Sequence, residues 1–196
     1  LIISVLISFF IVKNFNTNIL INTILISSAL YLFFITLRDF FNKKYKNFAQ
    51  NTAHFGFSLL ILSILFNNLF SSEIITNLKV GETYDNSKTK IVFESINQKK
   101  EKNYKSIIAN FNITNSEGIN NNLSPELRIY NQPNITTSEA DIKTTLMKDK
   151  FIVINLVQNQ DYFNVRYQVK PFMLWIWLSV IMISLGGLIS FLQKRI

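Results

Sequence analysis

Three long stretches without an acidic side chain, lysine or arginine restrict the fold of this chain more than any other feature. They span residues 14–37, 47–72 and 171–193, and His54 is the one acidic or basic side chain within them. A bilayer core needs about 20 mostly apolar residues per helix, so each stretch is long enough to cross a membrane. We therefore predict membrane helices over 18–37, 53–70 and 172–192.

Residues 1–12 are equally apolar but too short to span a bilayer, and the chain begins with Leu. We interpret them as the end of a truncated helix, and we expect the chain to be the C-terminal part of a longer protein. A secretory signal peptide is the alternative. It would carry a basic region before its apolar core, and none precedes Leu1.

The net charge of +8 is divided unevenly along the chain. Residues 73–170 hold 13 Lys and Arg against 11 Asp and Glu, so this segment is close to neutral. The remaining excess flanks the apolar stretches, which is the positive-inside pattern of membrane proteins and argues against nucleic-acid binding. We expect the basic segments 38–52 and 193–196 on the cytoplasmic or matrix side and residues 71–171 on the other side.

The segment between the second and third predicted helices has the pattern of β-structure. Ile107, Ala109, Phe111 and Ile113 alternate with polar residues, which places them on one face of a strand. Asn-rich turns are expected at 115–118 and 120–122. The predicted fold is thus an α-helical transmembrane bundle (1–70 and 172–196) with a small antiparallel β-barrel or sandwich (71–171) inserted before the last helix. Further strands are expected near 90–93, 127–130, 151–154 and 163–167.

Few residues of the chain have the chemistry of a catalytic or metal site. Cysteine is absent and histidine occurs once, so a thiolate zinc site or a cysteine nucleophile is excluded and a self-contained zinc site is not expected. The acidic residues of the β-segment are scattered among lysines, so we name no catalytic residue.

His54 is the strongest candidate site residue. An ionisable group at membrane depth is a functional-site hypothesis by default, and neutral imidazole is a good ligand for haem iron. The alternative is a histidine at the lipid–water boundary that is hydrogen-bonded to a loop carbonyl. The residue alone leaves both interpretations open.

A series of short motifs resembles the C-terminal part of the CcmF family, cytochrome c-type biogenesis proteins of the haem-lyase step. Their order and spacing carry the resemblance, although Ser138 is an insertion and Asn131 stands where the family commonly has Pro. The motifs are Ala-His-Phe-Gly at 53–56, Arg-Ile-Tyr at 128–130, Thr-Thr-Ser-Glu-Ala at 136–140, Val-Arg-Tyr at 165–167, Trp-Ile-Trp at 175–177 and Gly-Gly-Leu-Ile-Ser at 186–190.

For His54 the resemblance implies the role of an axial ligand to the iron of a membrane b-type haem, because it matches the Ala-His-x-Gly segment of the family. The second axial ligand is expected outside this chain. By itself the chain is then expected neither to bind haem strongly nor to be active.

For the whole protein the resemblance implies a subunit of the cytochrome c maturation haem lyase, which helps to attach haem covalently to apocytochrome c. The expected partners are a haem chaperone, apocytochrome c and other cytochrome c maturation subunits. The expected location is the bacterial or mitochondrial inner membrane, with the β-domain on the periplasmic or intermembrane side. Arg128, Glu139 and Arg166 lie within the family-like segments, and we interpret them as salt-bridge or sheet-surface charges.

Two other classes of protein remain as alternatives. A transporter or channel subunit with an exported β-domain is one, but apart from His54 the predicted helices lack the ionisable residues and broken segments that mark a substrate path. A membrane-anchored scaffold whose β-domain binds protein partners is the other.

Overall fold

The chain consists of two compact units in the computed structural model, which describes residues 1–15, 18–41, 48–116, 118–157 and 160–193. The first unit contains residues 1–71, 146–148 and 170–196, and the second contains residues 72–145 and 149–169.

The described part of the first unit is helical. Helices α2, α3 and α4 are each long and apolar enough to cross a membrane. The 23 residues of α2 and of α3 extend about 35 Å at 1.5 Å per residue, slightly more than a hydrocarbon core of about 30 Å. Many large apolar side chains of these helices are exposed, as expected for helices that contact lipid. The bounds are α1 Ile2–Val12, α2 Ile19–Phe41, α3 Phe48–Phe70 and α4 Met173–Gln193.

Helix α3 begins five residues before its predicted start at residue 53. The early turn contains polar residues, and two of them bond to backbone carbonyls: Thr52 Oγ1 donates to Phe48 O at 2.8 Å, and Asn51 Nδ2 donates to Asp39 O at 2.8 Å. Such bonds satisfy polar groups at a membrane helix end. His54 is therefore the seventh residue of α3 rather than the second.

The start of α4 is tied to residues 146–148 of the same unit. Trp175 Nε1 donates a hydrogen bond to Leu146 O at 3.0 Å, and the backbone N–H of Phe172 donates to Met147 O at 2.8 Å. Phe172 has a φ of 61°, a region that bulky residues rarely adopt. These contacts fix the point at which the last β-strand becomes a helix.

Ten β-strands follow one another in the described residues between α3 and α4. They are β1 Ser72–Leu78, β2 Thr83–Asp85, β3 Thr89–Lys100, β4 Tyr104–Asn115, β5 Asn120–Leu123, β6 Glu126–Tyr130, β7 Thr136–Glu139, β8 Asp141–Thr144, β9 Lys148–Leu156 and β10 Phe163–Pro171.

The strands form two sheets that enclose an apolar core. One sheet has the order β1-β10-β9-β8, and the other has the order β2-β3-β4-β6-β7 with β5 beside β4. Phe93 and Phe111 from the second sheet stack with ring centroids 4.4 Å apart, and Ile152 and Val165 from the first sheet join the same buried cluster. Two faces packed in this way make a β-sandwich. The predicted class, apolar membrane-length helices with an antiparallel β-domain before the last helix, is confirmed, and the domain is a sandwich rather than a barrel.

One of the predicted Asn-rich turns is wrong. Residues 120–122 belong to β5, which pairs antiparallel with β4. Asparagine is tolerated in this strand because its amides find partners: Thr114 Oγ1 donates to Asn120 Oδ1 at 2.6 Å, and Asn121 Nδ2 donates to Ile119 O at 3.3 Å. At the other predicted turn, Gly118 has a φ of +74° and Glu117 lies outside the described residues.

Candidate functional site

The candidate ligand His54 lies on α3 with its side chain exposed. Within the described residues its imidazole makes no hydrogen bond or ion pair. The loop 42–47, which would supply a carbonyl in the boundary interpretation, lies outside the described residues.

His54 shares one outward face of α3 with apolar neighbours. Residues three or four apart in a helix lie on the same face, and Gln50, His54, Phe57 and Ile64 are all exposed there. Phe57 is 53% exposed and Ile64 is 49% exposed. We call these four residues the His54 face. Apart from Gln50 at its end, this face is apolar and carries one imidazole, whose nitrogen can bind a metal ion.

A second side of α3 packs tightly against α4 through glycines. A Cβ atom on Gly186 of α4 would lie 2.7 Å from Ala53 N and 2.8 Å from Ala49 O. A Cβ on Gly56 of α3 would lie 3.0 Å from Ser179 O of α4. Small residues let membrane helices approach this closely. The adjacent Gly187 makes no such approach, because a Cβ there would meet nothing within 4 Å.

The third side of α3 is fixed against α2 by a buried hydrogen bond and by aromatic rings. Thr36 Oγ1 and Ser58 Oγ are 2.6 Å apart. Phe55 packs between Phe40, at a ring-centroid distance of 5.2 Å, and Phe33, at 5.5 Å. With α2 and α4 on two sides, the rotation of α3 leaves the His54 face outward.

Sequence reasoning overlooked Gly56, Ser58 and Thr36, which hold the helix that carries His54. The small residues Ala49, Ala53 and Gly56 recur at helical spacing, and this signal predicts a close helix contact. The Thr36–Ser58 pair has no comparable signal, because many Ser and Thr residues occur in the apolar stretches.

The residue types fit one half of a haem-iron site. Neutral imidazole is a common axial ligand, and the exposed ring of Phe57 supplies an apolar surface one helical turn away. His54 is the single histidine of the sequence, so a second histidine ligand cannot come from these 196 residues. Among the described residues there is also no group of three or more His, Asp or Glu side chains arranged for a metal ion.

An open apolar groove of about 750 Å³ lies elsewhere in the helical unit, between α1 and the end of α3. Its lining includes Leu6, Phe10, Phe15 and Phe70 and no acidic or basic side chain. His54 is not among the residues that line it. The groove therefore has no part in the candidate site.

Arg128 lies in an ion-pair cluster on the second sheet. Its Nη2 is 2.9 Å from Glu126 Oε2, its Nη1 is 4.0 Å from Glu139 Oε1, and its guanidinium lies 5.3 Å from the ring centroid of Tyr104. The hydrogen bond from Arg128 lowers the pKa of Glu126 despite the opposing effect of its partial burial. The same bond raises the pKa of Arg128. Ion pairs at a partly exposed sheet surface of this kind contribute little to stability, because solvent screens the charges.

Arg166 occupies a similar position on the first sheet. It lies opposite Ile75 in the pairing of β10 with β1, and its guanidinium forms an ion pair with Glu73. Gln168 donates a second hydrogen bond to the same carboxylate. Arg128, Glu139 and Arg166 thus all take part in ion pairs on sheet surfaces, and none of them belongs to a cluster of catalytic type.

Comparison with known protein families matches residues 69–171 to the family described as the CcmF C-terminal beta-sandwich. The matched residues begin at the end of α3 and cover the ten strands, so they make up more than half of the chain. His54 lies before the matched segment.

Similar proteins are cytochrome c-type biogenesis proteins. The chain is 27% identical over 143 residues to CcmF of Escherichia coli, which covers 73% of this chain and 22% of that protein. It is 23% identical over 173 residues to NrfE of Haemophilus influenzae, which covers 88% of this chain and 27% of that protein. The chain therefore spans about a quarter or less of the length of these relatives.

A solved structure of similar fold is named cytochrome c heme lyase CcmF. The superposition has a TM-score of 0.69 at 14% identity and covers 95% of this chain and 33% of that chain. At this identity the match establishes a shared fold, which includes the helices as well as the β-sandwich.

Proposed function

The chain belongs to the CcmF C-terminal beta-sandwich family, and from this premise we propose that it is part of a cytochrome c maturation haem lyase. In this role His54 is one axial ligand of a membrane b-type haem, and the complete assembly helps to attach haem covalently to apocytochrome c. The observation that carries the proposal is the exposed imidazole of His54 on an apolar outward face of a membrane-length helix.

The residues of this chain would bind and orient the haem from one side. His54 would donate a ring nitrogen, Phe57 one turn further along α3 would shield that nitrogen from water, and the contacts of α3 with α2 and α4 would hold the helix that carries the imidazole. A b-type haem bound there supplies a one-electron couple whose potential depends on its axial ligands and its burial. The second axial ligand comes from a part of the assembly outside these residues.

The β-sandwich is proposed to lie on the periplasmic or intermembrane side of an inner membrane and to bind partner proteins. The basic flanks of the apolar stretches support this orientation, because they belong on the cytoplasmic or matrix side. The proposed partners are a haem chaperone, apocytochrome c and the other maturation subunits. The near-neutral balance of residues 73–170 is compatible with export, since that segment lacks a strong positive excess.

A reduced-minus-oxidised visible spectrum of the complete detergent-purified assembly tests the role of His54. We expect a b-type signal in the wild type, its loss in His54→Ala, and an unchanged signal in Gln50→Ala, which alters an exposed polar residue one turn away on the same face. A signal that survives His54→Ala would overturn the ligand assignment. No b-type signal in any form would leave the scaffold and transporter alternatives.

A further inference from the structure

We propose that Gly186 of α4 is the positioning residue for His54. This inference rests on the proposed function, because it concerns how the ligand is aimed at the iron. It goes further in assigning a role to a residue on a different helix that does not itself touch the haem.

The contact that carries the proposal joins Gly186 to the peptide that leads into His54. A Cβ atom on Gly186 would lie 2.7 Å from Ala53 N and 2.8 Å from Ala53 Cβ. Ala53 immediately precedes His54 in α3. The backbone of α4 therefore lies directly against the backbone of α3 at the turn that presents the imidazole.

The neighbouring atoms cannot rotate out of the way of an added side chain. Ala53 N and Ala49 O are backbone atoms of a helix, so a methyl group on Gly186 forces the two helices apart. Ordinary van der Waals contact begins at 3.4 Å, so the closest of these contacts, at 2.7 Å, requires a displacement of roughly 0.7 Å.

Because the opposite side of α3 is fixed against α2, this displacement changes the direction of α3 and of the side chains that it carries. Ser58 is held to Thr36 of α2 by the buried 2.6 Å hydrogen bond, and Phe55 is held between Phe33 and Phe40. With that side fixed, separation from α4 tilts or rotates α3 about the α2 contact. Ligand geometry in functional sites is held to within about 0.5 Å and 10–20°, so a shift of this size exceeds the tolerance of the imidazole.

Two substitutions on adjacent residues of α4 separate this role from a general effect of altering the helix. Gly186→Ala introduces the forbidden contact, whereas Gly187→Ala adds the same methyl group where nothing lies within 4 Å. Both changes replace glycine by alanine within the same helix and so raise helix propensity equally. A difference between them must therefore come from the contact with α3.

The measurement is haem ligation in the complete assembly, by the spin state of the ferric haem, its midpoint potential and its affinity. For Gly186→Ala we expect conversion of low-spin to high-spin haem, a shifted midpoint potential and an affinity lower by about tenfold, the lower end for loss of a supporting contact around a metal ligand. Gly187→Ala should match the wild type in all three. Equal values for Gly186→Ala and the wild type would overturn the inference.

Gly56→Ala provides a second test at the same helix contact, should Gly186→Ala fail to accumulate. A Cβ on Gly56 would lie 2.9 Å from Met182 Cβ and 3.0 Å from Ile183 N, two residues beyond His54. The same change of spin state is expected, and an unchanged spectrum would again overturn the inference. Failure of the proposed function itself is distinguishable, because the wild type would then show no b-type signal that depends on His54.

Discussion

Phe111 is expected to be among the most sensitive positions of the β-sandwich. Its side chain is 1% exposed and stacks on Phe93 at 4.4 Å between centroids. An aromatic side chain buries about 150–250 Å², and at about 25 cal/mol per Å² this amounts to roughly 4–6 kcal/mol. Alanine retains part of that area, so we expect Phe111→Ala to lower the free energy of unfolding of the sandwich by about 3–5 kcal/mol.

Hydrogen exchange followed by mass spectrometry measures this loss in the intact chain in detergent. Since each 1.4 kcal/mol is a factor of ten, the slowest amides of β3, β4 and β9 should exchange faster by about 100-fold to several thousand-fold in Phe111→Ala. Phe111→Leu keeps much of the volume and should lose only about 1–1.5 kcal/mol. This graded series distinguishes loss of packing from loss of fold.

The adjacent residue Asn112 is the matched control, because its side chain points to the other face of the same strand. Asn112→Ala should change the free energy of unfolding by less than about 0.5 kcal/mol. A slip of β4 by one residue would exchange the two faces. An effect of Phe111→Ala below tenfold, or an equal effect of Asn112→Ala, would therefore refute the register and the core assignment.

Three further predictions concern groups outside the central core. The hydrogen bond from Arg128 lowers the pKa of Glu126. The stabilising effect of this bond is therefore present above about pH 4.3 and disappears as the pH falls through the lowered pKa. In Arg128→Gln the pKa of Glu126, followed by carbon-13 NMR, should rise, and an unchanged titration curve would contradict the pairing. Burial raises the pKa of Tyr167 to about 12, whereas exposed tyrosines ionise near 10. The free energy of unfolding should therefore fall as the pH rises above about 10. In a titration followed at 295 nm, Tyr167→Phe should remove the phenol ionisation that occurs at the highest pH. Trp175→Phe removes the indole hydrogen bond to Leu146 O, which is worth about 0.5–1.5 kcal/mol. The amides of residues 145–148 should therefore exchange faster, and those of the rest of α4 should be unchanged. Equal amide exchange of residues 145–148 in the two proteins would mean that the hydrogen bond contributes nothing.

Features with a clear period or an unusual residue were predictable from sequence. The alternation of Ile107, Ala109, Phe111 and Ile113 predicted a strand with one buried face; the last three are buried, and Ile107 is partly buried against the same core. His54 was identified because it is the single histidine and lies in an apolar stretch. Long apolar runs likewise determined the helical class, since length and composition alone decide whether a helix can span a bilayer.

Features that depend on tertiary partners were not predictable. The Asn-rich residues 120–122 have low strand propensity, yet they form β5 because β4 offers an edge and their amides find hydrogen-bond partners. The rotation of each membrane helix about its own axis is also hard to predict from the sequence, because apolar residues occur on all sides of the helix. The spacing of Ala49, Ala53 and Gly56 indicates a close helix contact without identifying α4 as the partner. The Thr36–Ser58 hydrogen bond becomes visible only when α2 and α3 are packed together.

Electron paramagnetic resonance of the ferric haem in the complete assembly, for wild type and His54→Gly, tests the central claim most directly. An exposed ligand on an outward face leaves a space that free imidazole can fill. We expect a low-spin signal in the wild type, a high-spin signal in His54→Gly, and return of the low-spin signal when imidazole is added. A low-spin signal that persists in His54→Gly without imidazole would contradict the assignment of His54 as an axial ligand.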